Sequence, residues 1–163
     1  IDCDKNIYVL DIDRFKADKV HIYFQHISEL HSKWRFNKLR AEVTVAQSVI
    51  VNGIKDHIKK EGMTLPIDEF RPSKVEGTKE ERIASSLEHR YEALEVWHCE
   101  GGWTNQLEEE LIKARPAHDD IKDSLASAVD IAVAPRQSSR SSVADFLGSA
   151  VKTNSRFGGV SYK

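Results

Sequence analysis

The sequence predicts an α/β layered domain with a mixed sheet. Short apolar runs of strand length alternate with amphipathic segments of helix length through residues 1–135. Residue pairs that start helices stand at the boundaries, as at Thr78 and Glu81. The 163 residues suffice for one domain with a core and hardly for two. No internal repeat is present.

The elements follow in order. Ile7–Ile12 reads as a strand. A polar turn, Asp4-Lys5-Asn6, and the end of another strand at Ile1–Cys3 precede it, which is a hairpin signal. Residues 18–34 suit a helix, because Val20, Phe24, Ile27, Leu30 and Trp34 recur at spacings of three and four. Phe36–Val43 is a second short strand, mostly apolar, with one acid at Glu42. Thr44 suits the cap of a helix over residues 45–60, which Glu61-Gly62 stops. Leu65–Phe70 reads as a short strand, and Arg71–Thr78 as a polar loop. Thr78 and Glu81 form a capping box for a helix running through Ile83, Leu87 and Tyr91. Glu95–His98 is a strand. Trp103–Ala114 is a helix with Leu107 and Leu111 inward. A last helix spans about 120–134, with Ile121, Leu125, Ala128, Val129 and Ala132 as its apolar stripe.

Two units result: a folded domain over residues 1–135 and a flexible, basic, Ser-rich tail over 136–163, with a short amphipathic turn at Val143–Val151. Net charge is −2, and the tail holds five Lys/Arg against Asp145 alone. The tail is therefore +4, and residues 1–135 carry −6. Bulk charge of that sign does not hold nucleic acid; a local basic track, bound cations or another domain must. No apolar run approaches the ~18 residues of a membrane span, so no membrane association is expected. Two cysteines, Cys3 and Cys99, make no disulfide framework, and a reduced cytoplasmic setting is the default. The chain opens on Ile1, in what reads as mid-strand, and so reads as a piece of something larger.

The chemistry gathers in "AHDDIKDSLASAVD". Asp119 suits the N-cap of the last helix. Asp120 lies where a side chain meets the edge of whatever the helix packs on, and Asp123 can join it at i,i+3. First-turn acids are also favoured by the helix dipole alone, by roughly 0.3–1 kcal/mol each. Glu42 adds a second, independent acid near the carboxyl end of an α/β strand, where such sheets place their sites; it also suits an exposed edge-strand position. An acid ending a strand and an acid starting a helix are what a divalent-cation site needs. Mg²⁺ and Mn²⁺ take hard oxygen ligands. Two such ions ~3.5–4 Å apart activate water and stabilise the leaving oxygen in phosphodiester cleavage.

Four stretches, "NIYVLDIDRFK", "LRAEVTVAQ", "GTKEERI" and "AHDDIKDSLASAVD", occur in that order. Through them the chain resembles the nuclease domain of the large terminase subunit of tailed bacteriophages, over about residues 1–135. The resemblance implies an RNase H-like (resolvase/integrase-type) fold and a two-metal DNA endonuclease. Such a domain cuts concatemeric double-stranded viral DNA during genome packaging in the host cytoplasm. It makes Glu42 the acid on the central strand and Asp120 the acid on the last helix, with Asp123 a further ligand of two Mg²⁺ or Mn²⁺ ions. The implied partners are double-stranded DNA, an upstream terminase ATPase domain, the portal and the small terminase subunit. The family's first strand carries an Asp and is expected to lie before Ile1; without it the fragment would be inactive. Asp11 and Asp13 match a later, non-catalytic strand. Nothing here matches a Gly-rich, Lys-Ser/Thr phosphate loop.

Other residues have candidate roles. Lys74, Lys79 and Arg82 suit DNA phosphates, and Lys79 equally suits an ion pair with Glu76 or Glu80. His118 and Asp119 are auxiliary candidates, His118 to orient a water or contact the scissile phosphate, or simply as a loop residue. His98 and Cys99 lack partners at zinc spacing. Trp34, Trp97 and Trp103 suit packing more than base stacking. Rival readings are another RNase H-like nuclease of transposase or resolvase type, and a non-catalytic α/β interaction domain whose acids only cap and solvate.

Overall fold

A computed structural model of the chain describes residues 1–44, 47–72, 77–113 and 116–135. The elements in chain order are β1 (Ile7–Val9), α1 (Val20–Trp34), β2 (Leu39–Glu42), α2 (Ser48–Lys60), β3 (Ile67–Phe70), α3 (Lys79–Glu92), β4 (Val96–His98), α4 (Thr104–Ile112) and α5 (Asp120–Ile131). The class is α/β, as expected. The described strands form two separate parallel pairs, β1 with β4 and β2 with β3. No described helix is long and apolar enough to cross a membrane.

Two apolar clusters underlie the pairs. Ile7, Ile83, Leu87, Ala126 and Val129 form one, joining β1 to α3 and α5. Ile54, Ile58 and Leu65 form the other, with Val20, Phe24, Ile27, Leu39 and Ile67 packed against it from α1, β2 and β3. Helix α5 packs on α3 and α4 and also meets β2, so it bridges the two halves. Helices α1 and α2 approach closely at Gly53, where a Cβ would stand 2.8 Å from Val20 Cγ1.

Helix ends follow local rules where the sequence supplies them. The Thr78–Glu81 capping box is complete: Glu81 N donates to Thr78 Oγ1 at 3.2 Å, and Thr78 N donates to Glu81 Oε2 at 2.7 Å. Helix α2 stops at Gly62, with φ +65°, in a Schellman motif whose Met63 N reaches back to Ile58 O. Helix α3 ends the same way, but Leu94 takes the left-handed position, with φ +58°. Leu94 N bonds Tyr91 O, and Glu95 N bonds Arg90 O.

Three local expectations are corrected. The hairpin at Ile1–Cys3 does not form. Asp2 Oδ1 accepts the N–H groups of Asp4 and Asn6, and its Oδ2 accepts from the Asn6 and Tyr8 side chains, so the segment closes as a turn. Strand β1 ends at Val9 because the chain beyond is drawn onto α1. Asp11 accepts from Lys33 and Trp34, and Asp13 pairs with His26. Thr44 does not use its side chain as the cap of α2; its own N–H donates to Gln47 Oε1.

Candidate functional site at the β2–α5 seam

Strand β2 alternates its side chains, so Lys38, Arg40 and Glu42 share a face. Helix α5 buries Ile121, Ala126 and Val129 on the core side. Its roughly opposite face presents Asp120, Asp123, Ser124 and Ser127. These two faces line one cavity of about 550 Å³ that runs along β2 and α5, from Phe36 to Gln47 on one side and from Asp120 to Ile131 on the other. The predicted apolar stripe is shifted: Ala126 is buried, while Ala128 lines the cavity. The shift follows from α5 packing on α3 and α4 together.

Glu42, Asp120 and Asp123 all line this cavity. Glu42 is exposed at the end of β2. Asp120 is also largely exposed, and its Oδ2 lies 3.5 Å from Arg14 Nη2. Asp123 is mostly enclosed. Its carboxylate takes Lys79 Nζ at 3.2 Å on one oxygen and Arg82 Nη2 at 4.0 Å on the other.

Asp119 occupies the N-cap position of α5 but makes no side-chain cap bond. Lys79 Nζ donates to its Oδ1 at 2.9 Å instead, and that bond holds the Asp119 carboxyl below its usual range. Burial opposes the charge on Lys79, yet its bonds to Asp119 and Asp123 outweigh that cost and raise its pKa. Lys79 pairs across to α5 rather than with its sequence neighbour Glu80; Glu76 lies outside the described residues. Lys74 also lies outside them. The Arg82 guanidinium lies 5.2 Å from the Phe70 ring centroid, and that of Arg40 lies 5.1 Å from it. His118 is exposed and has no partner among the described residues.

Comparisons with protein-family models, with curated proteins and with solved structures were made for the whole chain. None of them matches it. The terminase resemblance accordingly rests on the four stretches that carry it.

Sequence reasoning missed several residues of this seam. The cap that Asp119 does not supply comes from Glu110 on α4, whose Oε2 accepts Ile121 N and Lys122 N at 3.0 Å each. The signal was Glu110's register: Thr104, Leu107 and Glu110 recur every three residues, and all three are buried. Arg40 bonds Asp68 at 2.8 Å and lies 3.5 Å from Asp130, tying β2 to β3 and α5. Lys38 shares the face of Glu42, lines the cavity and makes no ion pair among the described residues. Arg14, which reaches Asp120, lies within the first of the four stretches but was given no role from sequence.

The lining offers oxygen donors of the kind a hard divalent cation takes, Glu42 from β2 and Asp120 and Asp123 from α5. Among the described residues no three of His, Cys, Asp or Glu stand close enough to enclose an ion. Magnesium sites that handle phosphates use only one or two carboxylates, with water and phosphate oxygens completing the shell. Glu42 and Asp120 are the pair available for that role, since Asp123 is taken up by Lys79 and Arg82.

Proposed function

We propose that this chain is a metal-dependent DNA endonuclease domain of RNase H-like type, with Glu42 and Asp120 as its metal-holding acids. One observation carries the reading. Two acids far apart in sequence, chosen for their positions at a strand end and a helix start, line a single cavity with Asp123 beside them. When bound there, Mg²⁺ or Mn²⁺ would supply Lewis acidity and an activated water for phosphodiester cleavage. The chain's own residues do the rest. Asp123 fixes Lys79 and Arg82 beside the site, and Lys38, with no ion pair among the described residues, offers a cation to a phosphate along the same strand face. The motif resemblance extends the reading to concatemeric viral DNA as substrate. It also extends it to a terminase ATPase domain, a portal and a small terminase subunit as partners, in a phage-infected cell.

A second reading has its own support. Arg14, Lys79 and Arg82 already compensate the acids of α5, as they would in a non-catalytic interaction domain.

Supercoiled-plasmid cleavage in Mn²⁺ separates the two readings. The nuclease reading expects nicking by the wild-type chain. It expects a loss of ~100-fold or more in Glu42→Gln and in Asp120→Asn, because metal-borne charge stabilisation is worth several kcal/mol. Equal cleavage by all three proteins removes Glu42 and Asp120 from the site. If the wild type does not cut, a chain extended upstream by one strand is assayed, and continued inactivity favours the interaction domain.

A further inference from the structure

Resting on the nuclease reading, we propose that Glu110 is the positioning residue of the site: its carboxylate clamps the first turn of α5 and so sets where Asp120 presents its oxygens to the metal and Asp123 its own to Lys79 and Arg82. Glu110 is 3% exposed, deep for an acid. Its Oε2 accepts the Ile121 and Lys122 amides at 3.0 Å each. Its Oε1 is buried and finds no hydrogen-bond partner among the described residues. Burying a carboxylate with one oxygen unsatisfied is a costly way to cap a helix.

A cheaper cap stands next door. Asp119 has the right side chain at the right position, but its oxygen is held by Lys79. Capping is thus delivered from α4, and Asp119 is left to anchor the cation. The remote cap does what a local one does not. A local cap moves with the turn it caps, whereas Glu110 ties that turn to a neighbouring helix anchored by fully buried Leu107. The two clamped amides lie between Asp120 and Asp123 in the chain, so the clamp holds the backbone joining both acids. Ligand carboxylates need that kind of support, because partners behind the ligands orient them.

The test uses the whole chain, Mn²⁺ alone, and electron paramagnetic resonance of free Mn²⁺ to measure binding. Two mild variants separate reach from charge. Glu110→Gln keeps the length and an acceptor oxygen but loses the charge. Glu110→Asp keeps the charge but is one methylene too short. Positioning expects Glu110→Gln to bind Mn²⁺ as wild type does, and Glu110→Asp to bind roughly tenfold or more weakly, the loss usual for an outer-shell partner. It also expects faster amide exchange at Ile121 and Lys122 in Glu110→Asp only. Unchanged binding in both variants, or loss in Glu110→Gln alone, overturns the inference and leaves the nuclease reading standing. Wild-type protein that neither binds Mn²⁺ nor cuts DNA overturns the nuclease reading and this inference with it.

Discussion

At the scale of single residues the seam is an exchange of partners. Lys79 holds Asp119 and Asp123, and Glu110 takes the capping work that Asp119 leaves. The sign of the Asp119 shift fixes a pH dependence. Its carboxyl titrates lower in the folded chain than its ordinary 3.8, so the unfolded chain binds the proton more readily. The stability it contributes is present above about pH 4 and is lost as pH falls through the folded value. Asp119→Asn should therefore flatten the fall of stability as pH drops below about 4, and be less stable than wild type at pH 7. Urea unfolding across that range checks it, and identical acid limbs would dismiss the pair as a contributor. The positions of Glu42 at a strand end and of Asp120 and Asp123 at a helix start were legible because such ends can be read locally. Their partners were not. Lys79 bonds a residue forty positions away, and Glu110 caps a helix that begins ten residues later, so neither pairing has a local signature.

At the scale of elements, ends were easier to read than lengths. The capping box at Thr78 and the glycine stop at Gly62 are written in side chains that allow few alternatives. The short strands are bounded instead by tertiary pulls. Asp11 and Asp13 draw the chain onto α1, and Asp2 closes a turn where a hairpin was expected. Helix α3 offers a test of this local logic. Leu94 holds the left-handed position of its Schellman stop and is 79% exposed, so its side chain secures little burial. A non-glycine residue there costs about 1–2 kcal/mol, and glycine gives back part of that through the unfolded chain, roughly 0.5–1 kcal/mol. Leu94→Gly should stabilise the protein by about 0.5–1 kcal/mol, seen as a higher urea midpoint at unchanged slope. A lower midpoint would mean that Leu94 contributes packing that its exposure hides.

At the scale of the whole molecule, the α/β class was legible from the alternation of patterns, while the division into two parallel pairs was not. Strand pairing is non-local, and β1 finds its partner β4 nearly ninety residues along the chain. The two halves have separate buried clusters. Charged groups cross the seam between them: Arg40 reaches Asp130, and the Arg82 guanidinium stands over Phe70. Charge of this kind weakens as the Debye length shrinks from about 10 Å at 0.1 M salt to about 3 Å at 1 M. The separate cores have a calorimetric consequence. A domain with one continuous core melts in a single cooperative step, in which calorimetric and van't Hoff enthalpies agree. This chain should melt with a calorimetric enthalpy above the van't Hoff value, and added NaCl should pull the transition into two. Because Glu42 and Asp120 sit on opposite sides of the seam, the nuclease reading expects heat to end DNA cleavage below the temperature at which most of the helix is lost.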